Sequence, residues 1–554
     1  MSRQVTLAVC ACAAVALTAC GTTEPEPPAP STTPPPATQP SPEPAPTPTP
    51  TTEEPESVLE EYGISAGHPL AVDAGEEVLA DGGNAADAIV AAAFAVAVVE
   101  PFASGIGGGG AAIVVPDEDE ATAYDYREEV PGSGAIPPGG VGVPGFVAGM
   151  AQIHADHGSL EWARVLEPAI TLAEEGFEVS PFLALRMSSD YGPEAISGLD
   201  HFTSSGVPLA AGEPLVQEEL AATMRTLARD GAESFYHGDL AGEVAAVEGL
   251  DRDSLSNYEV LTADPVRGAI DEFEVLAAPP ALPGVALIQM LQIAEAEGLA
   301  RTAPGSAEYM ELLGAGWAVG YETTVTELGD PRFVDVPVQE LTDADANAAA
   351  ARAGASTAAI GGPSEPGPAG AGNTTHLTAV DTDGLMISMT NTITSFWGSQ
   401  HYVGGFFMNN QLTRFEAIGS TSANEPQAGR RSVSWSLPAV VADQQGRAVL
   451  GIGTPGADRI PQVMAQVITR WAMHDQSLEE AVAAPRFAYE SNQVLVEEEP
   501  DADAAAQLSL PYEVVPAEWA YFGSVQALQV DYASGQVRGA PDHRREADVA
   551  VGEP

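Results

Sequence analysis

The stretch Asn373-Thr374-Thr375-His376-Leu377-Thr378-Ala379-Val380-Asp381-Thr382-Asp383-Gly384 decides how the rest of the chain is read. Residues 374–380 alternate as a strand should, 381–384 form an Asp/Gly turn, and 385–393 alternate again, so a β-hairpin is predicted. Residues 344–372, just upstream, are dominated by Ala, Gly, Pro and Ser and read as a mobile loop. Order therefore returns abruptly at Thr374. A threonine at such a boundary has a specific chemical option. Its hydroxyl can attack the Asn373 carbonyl, take the acyl group onto oxygen, and let water release a new N-terminus. The freed α-amine then lies beside its own hydroxyl and can act as its general base. The competing reading is an ordinary strand threonine, since β-branched residues favour strands anyway.

Outward from the hairpin, residues 82–99 are Ala-rich and apolar on most sides, which predicts a buried helix ended by Pro101. The run Ser104-Gly105-Ile106-Gly107-Gly108-Gly109-Gly110 contains a formal G-x-G-x-x-G. A helix precedes it and a strand (111–115) follows, the reverse of a dinucleotide loop, so close backbone packing is the better explanation. Residues 121–129 read as a strand carrying Arg127 and Glu128, 142–145 as a turn and 146–157 as a helix. His154 and His157 read as exposed polar residues, because no further ligands accompany them. Residues 159–300 read as mostly helical scaffold.

The bulk composition excludes several chemistries. The 554 residues hold 79 acids against 21 bases, for a net charge of -58, and none of the bases is lysine. That removes a P-loop, a Schiff-base lysine and a Ser-x-x-Lys nucleophile. The acidity argues against nucleic acid as a partner and suits a solvated surface. Cysteine occurs only at 10, 12 and 20, so no disulfide or cysteine-zinc site is expected in the folded part. Arg3, the apolar run 5–17 and Leu17-Thr18-Ala19-Cys20 read as a secretory signal. Its ending resembles a bacterial lipobox, which implies a signal peptide over 1–19 and lipidation of Cys20. Residues 20–57 are rich in Pro and Thr and read as an extended tether. The expected location is extracytoplasmic, with a lipid at Cys20 anchoring the chain to the outer face of a bacterial membrane.

Residues 374–415 resemble the start of the small subunit of γ-glutamyltransferases, members of the N-terminal-nucleophile hydrolase superfamily. The likeness rests on Thr374-Thr375-His376, Val380-Asp381-x-Asp383-Gly384, Thr390-x-Thr392, Gly398, Asn409-Asn410-Gln411, the run from Gly453 to Ile460 and Gly539-Ala540-Pro541-Asp542. Upstream, the run from Gly83 to Ala88, the glycine run, Asp125-Tyr126-Arg127-Glu128 and Gly142-Val143-Pro144-Gly145 match in the same order. The resemblance implies an α+β fold, a four-layer αββα sandwich, cut at Asn373–Thr374 into a large piece (58–373) and a small catalytic piece (374–554) that stay together as a heterodimer. It implies Thr374 as nucleophile, Thr392 as its hydrogen-bonding assistant, and the N–H groups of Gly456 and Ala457 as the oxyanion hole. Arg127 would clamp a substrate α-carboxylate, for which a guanidinium fork is suited. No metal or organic cofactor is implied.

The departures from the family pattern fall among the expected substrate-binding positions. Arg414 stands where the family has an acid for the substrate ammonium, three residues after Gln411; Thr394 stands for an Asn; Ser434-Trp435 stands for a Ser-Ser pair; Ala457 stands for a Gly. The segment from Phe415 to Ser434 looks shorter than in members with a lid. A cation at Arg414 would repel an ammonium and favour a carboxylate. The expected reaction is γ-glutamyl transfer or hydrolysis on small γ-glutamyl or peptide-like amides. A poly-γ-glutamate hydrolase or a cephalosporin/glutaryl acylase is the alternative within enzymes, and a non-catalytic surface-binding lipoprotein the alternative outside them.

Overall fold

A computed structural model describes residues 58–117, 120–189, 191–352, 372–417, 422–516 and 520–554. The signal, tether and Cys20 readings, and the loop reading for residues 353–371, lie outside the described residues. Thirteen strands build two antiparallel sheets. In chain order they are β1 (Tyr62–Ala66), β2 (Gly109–Val115), β3 (Thr122–Asp125), β4 (Leu261–Ala263), β5 (Val266–Ile270), β6 (Phe273–Ala277), β7 (Gly372–Val380), β8 (Met386–Ser395), β9 (Ala439–Ala442), β10 (Ala448–Gly453), β11 (Gln526–Asp531), β12 (Gln536–Gly539) and β13 (Asp548–Gly552). The first sheet runs β13-β1-β7-β8-β2-β3-β4 and the second β12-β11-β10-β9-β6-β5.

The hairpin read from the sequence is β7–β8. Its turn is held by Asp381, whose Oδ1 accepts from the N–H groups of Asp383 and Leu385, both at 3.0 Å. Gly384, at φ 84°, supplies the left-handed residue the turn needs. The other oxygen of Asp381 accepts from Ala85 N–H at 3.0 Å, the first residue of a helix, so one side chain ties the turn to its neighbour.

That helix is α2. The helices that place the site are α1 (Pro69–Ala80), α2 (Ala85–Val99), α3 (Phe146–His157), α4 (Gly284–Ala296), α5 (Ala307–Thr326) and α6 (Ile460–His474). Asn84 and Asp87 close a capping box on α2, and all fifteen of its residues are buried, as a helix apolar everywhere but at Asp87 predicts. Helices α1, α2 and α3 pack on strands of the first sheet, and α4 and α6 on strands of the second. The two sheets meet through polar side chains. Thr378 donates to the Gln526 carbonyl at 3.3 Å and Ser388 to the Ile452 carbonyl at 3.1 Å. His376 lies against β10 so tightly that a Cβ on Gly453 would fall 2.2 Å from its ring. The expected glycine packing is equally close: a Cβ on Gly107 would meet the Phe407 carbonyl oxygen at 2.2 Å.

Four local expectations need correction. Residues 159–300 are not helix alone: β4, β5 and β6 lie there and complete edges of both sheets. The predicted strand 121–129 shortens to Thr122–Asp125. Residues Ala344–Arg352 form a helix, not loop. His154 and His157 are half-buried and engaged: the ring of His154 bonds the Leu160 carbonyl at 2.9 Å and stands 3.5 Å from Asp87, and His157 meets the Tyr124 hydroxyl at 2.8 Å. Among the described residues, no group of three or more His, Cys, Asp or Glu side chains is arranged to hold a metal ion. Also among them, no helix is long and apolar enough to cross a membrane.

Candidate active site

Thr374 sits in an irregularity of the β7–β8 ladder. Asn373 pairs with Thr394 and Thr375 with Asn391, so the register shifts across Thr374. A bulge of this kind re-aims a side chain and bends the strand. Thr374 is 5% exposed, and its carbonyl oxygen accepts from an Arg545 Nη at 3.5 Å.

Across the bulge a chain of contacts runs away from Thr392. The Thr392 hydroxyl oxygen accepts from Thr394 N–H at 2.8 Å. Thr394 is held at φ 83°, unusual for a β-branched residue and a form of strain found where surrounding contacts over-determine the backbone. Its hydroxyl donates to Gln411 Oε1. Gln411 Nε2 donates to the Ser432 hydroxyl at 3.0 Å, and the Ser432 carbonyl accepts from Arg127 Nη1 at 2.6 Å. The sequence separates these residues by up to 305 positions; the fold joins them.

Arg127 is 1% exposed. Its fork holds Asp125 through Nε at 3.0 Å and Nη2 at 2.6 Å. Burial alone would raise the Asp125 carboxyl, but Arg127 and Arg431 beside it hold it well below the usual carboxylate range. Binding a substrate carboxylate at Arg127 therefore requires sharing a guanidinium that already has an anionic partner. Glu128, next in the chain, is fully buried, and burial raises its carboxyl to about 8.

The Thr454–Ala457 turn packs close by. Gly456 is at φ 145° and Ala457 at φ 56°. Ala457–Arg459 form a 3-10 turn that contacts β7 and runs directly into α6. N–H groups at the start of a helix lack intrahelical acceptors and carry the positive end of its dipole, which suits a developing oxyanion. Thr454 fixes the approach to this turn: its hydroxyl donates to the Pro455 carbonyl at 2.8 Å and accepts from Ser524 N–H at 3.1 Å.

The remaining predicted residues divide. Arg414 is buried at the start of a short helix, Arg414–Ala417, directly after the turn that carries Gln411. Ser434 is buried, with its N–H directed at the Ala281 carbonyl at 3.4 Å. The Trp435 ring faces helix α5 instead: it stacks on Tyr321 at 6.0 Å and leans on Trp317 at 5.7 Å.

Sequence reasoning missed two groups beside Thr374. Arg545 reaches its carbonyl. Glu100, at the C-terminal cap of α2, stands against the Thr375 hydroxyl: a Cβ on Gly67 would lie 3.1 Å from that oxygen and 3.3 Å from Glu100 Oε2. The available signal for Glu100 was a single acid closing a fifteen-residue apolar helix. The Arg545 guanidinium lies over the Phe182 ring at 5.1 Å, and Phe182, Pro485, Ala520, His543 and Arg544 line an adjoining cleft of ≈ 540 Å³.

With this geometry in place, comparison with known proteins is decisive. The sequence matches the family described as Gamma-glutamyltranspeptidase over residues 71–552. The chain belongs to the γ-glutamyltranspeptidase family. Among relatives, it is similar to the capsule biosynthesis protein CapD proenzyme of Bacillus anthracis, 35% identical over 87% of this chain and 89% of the relative. It is also similar to the glutathione hydrolase proenzyme of Bacillus subtilis (strain 168), 30% identical over 88% and 91%. Among solved structures, the cephalosporin acylase from Bacillus halodurans superimposes with a TM-score of 0.80 at 24% identity, covering 92% of this chain and 98% of that one. That last likeness speaks to the mixed helix-and-sheet fold alone. The family expectation drawn from the motifs holds.

Proposed function

We propose that this γ-glutamyltranspeptidase-family chain cuts itself at Asn373–Thr374 and then works as an acyltransferase and amide hydrolase through an ester on Thr374. The observation that carries the reading is the bulge at Thr374, opposite Thr392, on a strand that contacts the Ala457–Arg459 turn following Gly456. In the uncut chain the Thr374 hydroxyl attacks the Asn373 carbonyl; the C–N bond breaks, the acyl group moves to oxygen, and water hydrolyses that ester. In the mature enzyme the α-amine takes the hydroxyl proton while the oxygen attacks the substrate amide. The N–H groups of Gly456 and Ala457 receive the oxyanion. The leaving amine collects the proton, and water or a second amine resolves the ester.

The substrates are γ-glutamyl amides such as glutathione or γ-glutamyl peptides, in line with relatives named glutathione hydrolase. Arg414 favours a second reading within the same chemistry. A buried cation beside Gln411 suits a donor whose α-amine is already acylated, or an acyl group bearing a carboxylate, in line with relatives named CapD and acylase ACY 1. The two sheets and their helices fit the four-layer αββα sandwich of an N-terminal-nucleophile hydrolase, and relatives named proenzymes fit a two-piece product. A lipid on Cys20, after removal of residues 1–19, would hold the enzyme outside the membrane at the end of its tether.

Mass spectrometry of purified protein tests the cut: wild type should give a fragment beginning at Thr374, and Thr374→Ala a single uncut, inactive chain. Two fragments from the variant would sink the assignment.

A further inference from the structure

Glu100 is a charge in an unusual place. It closes an entirely buried helix, at the end where the helix dipole is negative, and that end disfavours a carboxylate. It is itself 3% exposed. Its oxygen faces the Thr375 hydroxyl on β7, one residue beyond Thr374. The opposite charge that acts on it is the partly buried Arg545, on the segment leading into β13, and this is the guanidinium whose Nη contacts the Thr374 carbonyl. The other charged groups are accounted for. Glu546 repels Glu100, but its Oε1 accepts from Phe182 N–H at 3.0 Å and its Oε2 lies 4.0 Å from His68. Arg186, Arg459 and Asp542 act on Arg545. Burial keeps His68 neutral, lowering it to about 4.

A cation that touches the carbonyl of residue 374 is also close to that residue's own nitrogen, within roughly 7 Å by backbone geometry. Once that nitrogen is a free amine, a nearby guanidinium disfavours its ammonium form. It thereby keeps the lone pair free to take the hydroxyl proton. An ionised carboxylate behind the guanidinium opposes this effect.

We infer that Glu100 and Arg545 form a charge pair that sets the proton affinity of the Thr374 amine, Arg545 favouring the active free base and Glu100 tempering it. The inference rests on the proposed reading of Thr374 as the N-terminal nucleophile. The step it governs is loss of one proton from the Thr374 ammonium to solvent, with no other bond made or broken. Each group acts on the other, although burial outweighs both effects. Burial raises the Glu100 carboxyl to about 7 despite Arg545, and burial lowers the Arg545 guanidinium to about 10 despite Glu100. Both are positioning residues: neither is assigned a bond to the substrate.

The test is the acid limb of the kcat/KM profile of full-length, matured enzyme on a γ-glutamyl or glutaryl nitroanilide. Glu100→Gln leaves Arg545 unopposed, so the limb should move to lower pH, by on the order of one unit. Arg545→Gln should move it to higher pH, and Arg545→Lys should restore the wild-type position. Opposite shifts from two variants are something a merely structural role would not produce. Superimposable profiles, or shifts in the same direction, overturn the proposal. Should Glu100→Gln fail to mature, the two Arg545 variants decide. Folded but uncut protein from all three variants also overturns it, since the pair would then serve the cut and not the amine. The fragment masses are read on the same samples. If wild type yields no fragment beginning at Thr374, the nucleophile reading has failed, which is a different result from an unmoved acid limb.

Discussion

Replacing Gly453 with alanine should damage the join between the two sheets, and the structure says by how much and through which partner. The new Cβ would fall 2.2 Å from His376 Cε1, 2.3 Å from Nδ1 and 2.7 Å from Cγ. The ring cannot swing aside freely. Its Nδ1 is bonded to the Thr390 hydroxyl at 2.8 Å, and its Nε2 lies 3.3 Å from the hydroxyls of both Thr378 and Ser388. Overpacking of this kind costs about 1–3 kcal/mol, and a displaced buried hydrogen bond adds about 1 more. Gly453→Ala should therefore lose roughly 2–4 kcal/mol. The assay is denaturant unfolding in a Thr374→Ala background, so that every species is one uncut chain. The sharper readout is a double-mutant cycle. His376→Ala alone costs a few kcal/mol, because three hydroxyls lose a partner, but it opens the space that the added methyl group needs. The double variant should be more stable than the sum of the singles by about 1 kcal/mol or more. Strict additivity would refute the steric argument. The same histidine gives a pH signature. Burial lowers it to about 3, so the folded state binds fewer protons than the unfolded one between about pH 3 and 6.5. Stability should fall as pH drops through that window, by a few kcal/mol, and His376→Ala should remove that part of the slope.

Two further outcomes follow from the site. Ala457→Gly should relieve a left-handed alanine, worth about 1–2 kcal/mol, against about 0.4–1 kcal/mol of extra unfolded-chain entropy; a small net gain in melting temperature with kcat nearly unchanged is expected, and a hundredfold loss of kcat would show that more than the amide matters there. Arg414→Asp should lower KM for free γ-glutamyl amides by about tenfold, roughly one charge-assisted hydrogen bond, while leaving glutaryl amides no better; unchanged selectivity would sink the charge argument.

What was legible in the sequence was local. The hairpin, the apolar α2, the glycine run and the Pro-Gly turn each announce themselves through periodicity or backbone demands within a few residues. Strands β5 and β6 were missed: Val266–Ile270 alternates buried and exposed in the fold, but its residues, Val-Arg-Gly-Ala-Ile, carry only a faint apolar–polar alternation. The alternation is brief and lies inside a long stretch otherwise rich in helix formers, and only partner strands far away in sequence make it a strand. Arg127 was read for its substrate, yet Asp125 lies two positions earlier on the same face of the chain, a pairing that strand periodicity could have suggested. The orientation of Trp435 depends on Trp317 and Tyr321, more than a hundred residues upstream, so nothing near it in the sequence could fix it. The same holds for Arg545, whose importance comes from where β13 returns to the first sheet.

That return has a consequence for what the proposed cut can do. In the first sheet, strands from before and after residue 373 are shuffled: β13, then β1, then β7 and β8, then β2. In the second, β9 from the later part abuts β6 from the earlier. A break at Asn373–Thr374 therefore severs the chain without opening a seam. Dilution alone should not part the pieces, because parting them means unzipping ladders in the interior of both sheets, and a chain that has lost its partner has no complete sheet on which to refold.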